Sequence, residues 1–368
     1  MLPMREEGKL SNFREDWDRL TKLAAESNVF MTFEWYMAWL HASPQEHFPG
    51  EVKPWLLLRR QGQTIEAITP LVERVSARFG FAVRKIQFVT PHADYNDLCV
   101  GSNPLDHADA LLQLLRSDPR SWDIVEFSNL RACDTTFESL QRSLRRSGLP
   151  FTLRPEPEGC PYLAINGDTA SLIEKRFSGD ARRKLRRRMQ NAQTAGLRVR
   201  IIEQPQREPG LLRKLIELEA KKMLRSSFPP LLGTYPAIFH QLFETLGPRD
   251  CLYVALLETG EQPVAFQLGF RCGDKLWDYT KAFDNSFSRF APGTLLVAAL
   301  LDYGFAHGYR EYDFLRGEEE YKSVWTQSCH RTYRLIIWNQ RWGSRLRKFL
   351  YYDCKAALFR LLGRPSCF

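Results

Sequence analysis

The sequence predicts an α/β protein made of two similar units, each a mixed central β-sheet flanked by helices. Three observations carry that expectation. The order hairpin, strand, helix, strand occurs twice along the 368 residues. Laying WLLLRRQGQTIEAI over YVALLETGEQPVAF sets Gly62 on Gly260 and Ala67 on Ala265, and laying WDIVEFSN over YREYDFLR sets Glu126-Phe127 on Asp313-Phe314. Between the halves, RPEPEGCPY (154–162) holds three prolines and a glycine and reads as a linker. The expected division is therefore 1–155, 156–340 and a basic tail, 341–368.

In the first half, helix signals cover 13–27 and 32–42, and FEWYMAWL in the second has its aromatics at helical spacing, as a core helix would. Two strand-like runs around QGQ form a hairpin over 54–72. Strands follow at 84–90 and 95–100, then a helix at 104–116, a strand at 122–129 and a helix at 135–147. The second half opens on a basic helix, 171–195, with an apolar row at Phe177, Ala181, Leu185, Met189 and Ala192. A helix at 209–224, a hairpin at 251–270 around TGEQ, a strand at 275–283, a helix at 292–307 and a strand at 310–315 complete it. In the tail, Leu346, Leu350, Cys354, Ala357 and Leu361 form one stripe among basic residues, the pattern of an amphipathic helix that could lie on a membrane surface.

Composition narrows the function. Hydrophobic residues make up 44% and aromatics 12%, enough for packed cores. The eight cysteines are scattered singly, so neither a disulfide framework nor a metal site is expected. The N-terminus has no apolar signal region and no stretch reaches membrane-spanning length. A cytoplasmic protein, peripheral to the inner membrane if the tail docks there, is the expectation. The net charge of +9 is uneven: RRKLRRR, 182–188, holds six basic side chains. Arg182 with Arg186 and Arg183 with Arg187 are like-charged i,i+4 pairs, which cost stability unless an anion lies between them. Arg182, Arg183 and Arg186 are therefore candidate contacts for an anionic substrate, with nucleic acid not expected as a partner outside the tRNA reading below.

RFAPGT, 289–294, decides the rest. A helix N-terminus presents unpaired amides and a positive dipole end, ready for a phosphate. Arg289, Phe290, Ala291, Pro292, Gly293 and Thr294 form such a start, although Pro292 contributes no N–H. The alternative is a proline that simply begins a buried helix. Asp278 and Asp313 lie on the flanking strands, where an acid among apolar residues has a partner or a task. Strand alternation puts Asp278 with Thr280 on one face and Lys281 with Trp277 and Tyr279 on the other. In the first half, PHADYNDLCV carries Asp94 and Asp97 in a turn leading to an edge strand, from which Asp97 could orient an acceptor.

With Asp313, Phe314, Gly317, Tyr321, Lys322 and Trp325 following the Pro-Gly turn, the chain resembles the BioF2-like acetyltransferases. These are the CelD/BcsL-type proteins of the GNAT superfamily, related to the Fem transferases. The arginine-rich helix and FEWYMAWL fit the same pattern, and the resemblance is best over 165–330. It implies tandem GNAT-like domains and an acyl-CoA co-substrate, acetyl-CoA first, bound at the 289–294 turn. It also implies an amino-sugar or related acceptor in cellulose or surface-polysaccharide synthesis, with a polysaccharide synthase as a potential contact. Tyr321 would be the acid, Asp278 or Asp313 the base, and Lys322 and Lys281 would hold the acceptor. Two other readings stand beside it: Fem-like transfer from aminoacyl-tRNA, and a non-catalytic accessory of a synthase.

Overall fold

The computed structural model describes residues 3–23, 28–42, 51–78, 81–98, 101, 103–222 and 230–348. The described residues up to Pro157 and from Arg331 form one compact unit, and Glu158–His330 form another.

The first unit runs through β1 (Pro3–Met4), α1 (Arg14–Leu23), α2 (Phe33–Ala42), β2 (Glu51–Gln61), β3 (Thr64–Arg78) and β4 (Phe81–Phe88). It continues with α3 (Pro104–Ser117), β5 (Ile124–Arg131), α4 (Thr135–Ser147) and β6 (Phe151–Pro155). The second unit holds β7 (Cys160–Ala164), α5 (Thr169–Arg176), α6 (Gly179–Thr194), β8 (Leu197–Ile202), α7 (Leu211–Lys222), α8 (Leu231–Thr234) and α9 (Pro236–Leu246). There follow β9 (Leu252–Thr259), β10 (Gln262–Cys272), β11 (Lys275–Phe283), α10 (Pro292–Ala306), β12 (Glu311–Asp313), α11 (Glu320–Trp325) and β13 (Cys329–His330). The chain then returns to the first unit as β14 (Thr332–Trp338) and α12 (Trp342–Lys348).

Each unit is built on a mixed seven-stranded sheet, ordered β1-β2-β3-β4-β5-β14-β6 in the first and β13-β7-β12-β11-β10-β9-β8 in the second. The duplication is visible in the backbone. Gly62 and Gly260 turn the two hairpins at φ 61 and 60. Helix α3 joins the parallel pair β4–β5 as α10 joins β11–β12. Both crossover helices start from a left-handed residue followed by proline: Asn103 (φ 55) before Pro104, and Ala291 (φ 52) before Pro292. Each core lies between its sheet and helices, with Trp55, Phe127 and Leu335 in the first and Tyr253, Leu300 and Trp325 in the second.

Several expectations shift. Residues 95–98 form no strand but an irregular segment with one parallel bridge, Asn96 to Leu130, because Asn96 spends its backbone and side-chain amides on β5; 99–100 lie outside the described residues. The basic helix expected over 171–195 is two helices. The chain extends at Phe177, and Ser178 caps α6 by accepting the Ala181 N–H at 3.3 Å. Met189, expected in the apolar row, is 44% exposed, whereas Leu185 and Ala192 are buried. The 154–162 linker is mostly strand, ending in β6 and beginning β7 on either side of the unit boundary. The second unit, expected to run to 340, ends at His330. The reason is β14, which lies between β5 and β6; there Arg334 donates to Glu126 and to Glu156, both at 3.1 Å. Of the expected tail helix, Trp342–Lys348 is helical and 349–368 lie outside the described residues.

Candidate active site

Strand β10 pairs with β11 as far as Phe283, but on the other side β12 reaches β11 only at Lys275, Leu276 and Trp277. β12 ends there because Leu315 turns left-handed (φ 54), its N–H donating to Asp313 Oδ1 at 2.8 Å. Asp313, 1% exposed, is thus a turn-former at the end of a strand, and it does not line the cavity. Past Trp277 the two strands part, and a cavity of about 480 Å³ lies along β11, closed on another side by the start of α10. The matching gap in the first unit is filled. Asn96 N–H donates to the Asn129 carbonyl at 2.9 Å, and Asn129 Nδ2 donates to the Ala93 carbonyl at 2.7 Å.

A bulge shapes the cavity wall. Leu268 pairs with Thr280 and Gly269 with Asp278, leaving Tyr279 as the extra residue. Gly269 is required by that close approach, since a Cβ there would collide with the Trp277 carbonyl and the Tyr253 ring. The extra residue breaks strict alternation, so Asp278 and Lys281 meet instead of facing opposite sides. Lys281 Nζ donates to Asp278 Oδ2 at 2.5 Å and lies 4.2 Å from the Tyr321 ring centroid. Asp278 is 3% exposed and its Oδ1 has no hydrogen-bond partner among the described residues. The Tyr321 hydroxyl is also buried without one. Burial, then the carboxylates of Asp278 and Glu319, push the Tyr321 phenol far above its ordinary range, so it stays protonated. Burial also lowers the Lys281 ammonium, opposed by Asp278.

Lys322 is not available to hold an acceptor. Its buried Nζ donates to the carbonyls of Leu315 (3.3 Å), Arg316 (3.0 Å) and Gly317 (3.1 Å) and pairs with Glu319 at 2.8 Å. An ammonium has three N–H groups, so the turn that ends β12 consumes them.

At the helix start, the Thr294 and Leu295 amides both donate to the Ala291 carbonyl, at 2.9 and 3.2 Å. Pro292 has no N–H. The Gly293 amide has no hydrogen bond among the described residues, no side chain caps the helix, and the space beside the Gly293 Cα is open. Ala291, Pro292, Gly293 and Thr294 all line the cavity. Phe290 instead packs into the core, and Arg289 is exposed, its guanidinium 4.7 Å from the Phe290 ring centroid.

The other expected contacts are elsewhere. Arg182, Arg183 and Arg186 sit on α6 and do not line the cavity; Arg182 pairs with Glu174, and Arg183 with Asp180. Asp97 belongs to the first unit, where burial and then Asp134 raise its carboxyl to about 6 and its Oδ1 accepts the Leu98 N–H at 2.6 Å. Glu311, Asp313 and His330 bring three potential metal donors within 4.8 Å, but the Lys275 ammonium, 3.4 Å from Glu311, already balances charge there. Sequence reading missed Arg316 and Glu319 on the cavity wall, the bulge and Gly269. The glycine opposite an acid-bearing strand was the available signal.

Residues 179–323 match the family described as an acetyltransferase (GNAT) domain. Among solved structures, FemX is similar at 13% identity and a TM-score of 0.63, covering 95% of this chain and 100% of its own. A conserved protein of unknown function from Bacteroides thetaiotaomicron follows at 12%, TM-score 0.57, covering 92% and 100%. The C-terminal DUF2156 domain of a putative lysylphosphatidylglycerol synthetase from Agrobacterium fabrum follows at 12%, TM-score 0.51, covering 93% and 96%. Such identities establish a shared fold. No curated protein matches.

Proposed function

We propose that this chain, whose residues 179–323 match the acetyltransferase (GNAT) domain family, is an acyl-CoA-dependent N-acyltransferase. In this reading acetyl-CoA is the first donor to test, and the acceptor is an amino sugar or related precursor of a surface polysaccharide or cellulose. The observation that carries the reading is that two buried polar groups without hydrogen-bond partners among the described residues, Asp278 Oδ1 and the Tyr321 hydroxyl, belong to residues lining the cavity between the parted strands.

N-acyl transfer needs a base for the amine, a donor for charge developing on the carbonyl or leaving sulfur, and a seat for the diphosphate. Asp278 Oδ1 accepts the proton of the acceptor amine, while Lys281 fixes the carboxylate through Oδ2. The Tyr321 phenol, held protonated, donates to the developing negative charge. The Gly293 amide and the positive end of α10 meet the diphosphate. The edge of β11 beyond Trp277, which β12 does not reach, offers backbone groups to the amide-bearing arm of the donor.

Titration calorimetry with acetyl-CoA tests this reading. Binding to the wild type that is lost in Gly293→Asp supports it, because a Cβ at Gly293 meets no protein atom and the fold should tolerate the change. Amine-dependent release of CoA, with glucosamine as the first acceptor, then tests the chemistry. A non-catalytic accessory role is the second reading, favoured by Pro292, which removes one amide from the turn. It predicts that neither acetyl-CoA nor aminoacyl-tRNA supports transfer. Transfer only from aminoacyl-tRNA would instead indicate Fem-like chemistry.

A further inference from the structure

Helix α6 carries a charge imbalance that the catalytic reading does not use. Six of its residues from Arg182 to Arg188 are basic. Two are paired with acids, Arg182 with Glu174 and Arg183 with Asp180. Lys184, Arg186, Arg187 and Arg188 have no acidic partner among the described residues, and Lys184, Arg186 and Arg187 are exposed. Lys184 with Arg188, Arg182 with Arg186 and Arg183 with Arg187 stand one turn apart, so the like charges repel along the helix. Repulsion of that kind is relieved by an anion from outside the chain.

The chemistry beside the arginines is apolar. Met189, one turn on from Arg186, is 44% exposed, and Val199 on the edge strand β8 is 38% exposed. Both line a groove of about 150 Å³ floored by Ala192, Leu197, Leu257 and Ala298, with Gln193 and the exposed Asp302 also on its wall. The surface therefore combines unpaired cations with accessible aliphatic side chains and a mainly aliphatic groove. The groove has no aromatic residue among those that line it, so it lacks the stacking platform on which single-stranded nucleic acid is held. Cations attract anionic headgroups, and aliphatic side chains enter the acyl boundary beneath them.

We propose that the face formed by α6 and β8 docks the protein on an anionic lipid surface, with Lys184, Arg186 and Arg187 meeting headgroup phosphates and Met189 and Val199 reaching the acyl layer. This docking is independent of whether the cavity beside α10 takes acyl-CoA. It also differs from the tail stripe, whose residues 349–368 are not needed for it.

Flotation of the full chain with vesicles of phosphatidylcholine containing about one-third phosphatidylglycerol tests the proposal. The wild type should float with these vesicles and not with pure phosphatidylcholine. Each lost cation is worth roughly fivefold in partitioning, so the charge-reversing Arg186→Glu/Arg187→Glu variant should lose at least about twentyfold. Met189→Ser/Val199→Ser should also lose binding at unchanged net charge, which separates insertion from bare attraction. A third variant, with the basic residues of 349–368 neutralised, should still float, with the first two variants losing binding in that background. Unchanged flotation of the Arg186/Arg187 variant, or binding lost only when the tail is neutralised, overturns the proposal. So does tight tRNA binding through Arg186 and Arg187 in a protein that does not float.

Discussion

Tyr321 and Lys322 are neighbours in sequence with opposite duties, and replacing them should have opposite consequences. The Tyr321 hydroxyl has no hydrogen-bond partner among the described residues to lose, so Tyr321→Phe should leave the melting temperature unchanged. If the phenol is the proton donor, kcat should fall roughly 10²-fold with little change in KM, measured as CoA release. Lys322→Met strands carbonyls of Leu315, Arg316 and Gly317, each costing about 1–3 kcal/mol if it stays buried. That variant should melt well below the wild type. Asp97 gives a pH test in the first unit. Its folded carboxyl is raised from 3.8 to about 6, so between these values the folded state binds more protons than the unfolded one. Stability therefore falls as pH rises through that window and stays lower above it. Asp97→Asn should melt higher than the wild type above about pH 6 and no differently below about pH 4.

At the scale of elements, the sequence made the scaffold of the site readable and hid its detail. A strand over 275–283, a Pro-Gly turn and a helix from 292 are legible because apolar runs and proline act locally, and all three are present. The pairing of Asp278 with Lys281 was not legible, because alternation assumes one residue opposite one, and the extra Tyr279 depends on a glycine in another strand. The duty of Lys322 was hidden for a similar reason: its carbonyl partners converge only once Leu315 and Gly317 adopt positive φ. Gly269→Ala follows from this. The added Cβ should force the bulge open, separating Asp278 from Lys281, and abolish transfer while acetyl-CoA binding at the α10 start weakens less. Equal loss of both would show that the bulge serves folding alone.

For the molecule as a whole, the repeat was legible from turn glycines and element order, while the return of the chain to its first sheet was not. The strand Thr332–Trp338 looks like any apolar run, and only its pairing between β5 and β6 assigns it to the first unit. Ending the chain at residue 330 should therefore unfold the first unit, exposing the β5 and β6 edges, while the second unit retains all the strands of its own sheet. Hydrogen exchange on the truncated chain would read this unit by unit. The two units also divide the labour: segment 93–98 fills the strand gap of the first, and the second keeps its gap as a cavity. The reading of that cavity as a donor site is tested most directly by titrating acetyl-CoA into the wild type and Gly293→Asp. The account predicts saturable binding to the wild type and at least about a tenfold loss in the equally stable variant; binding that Gly293→Asp leaves untouched, or no binding by either, would contradict it.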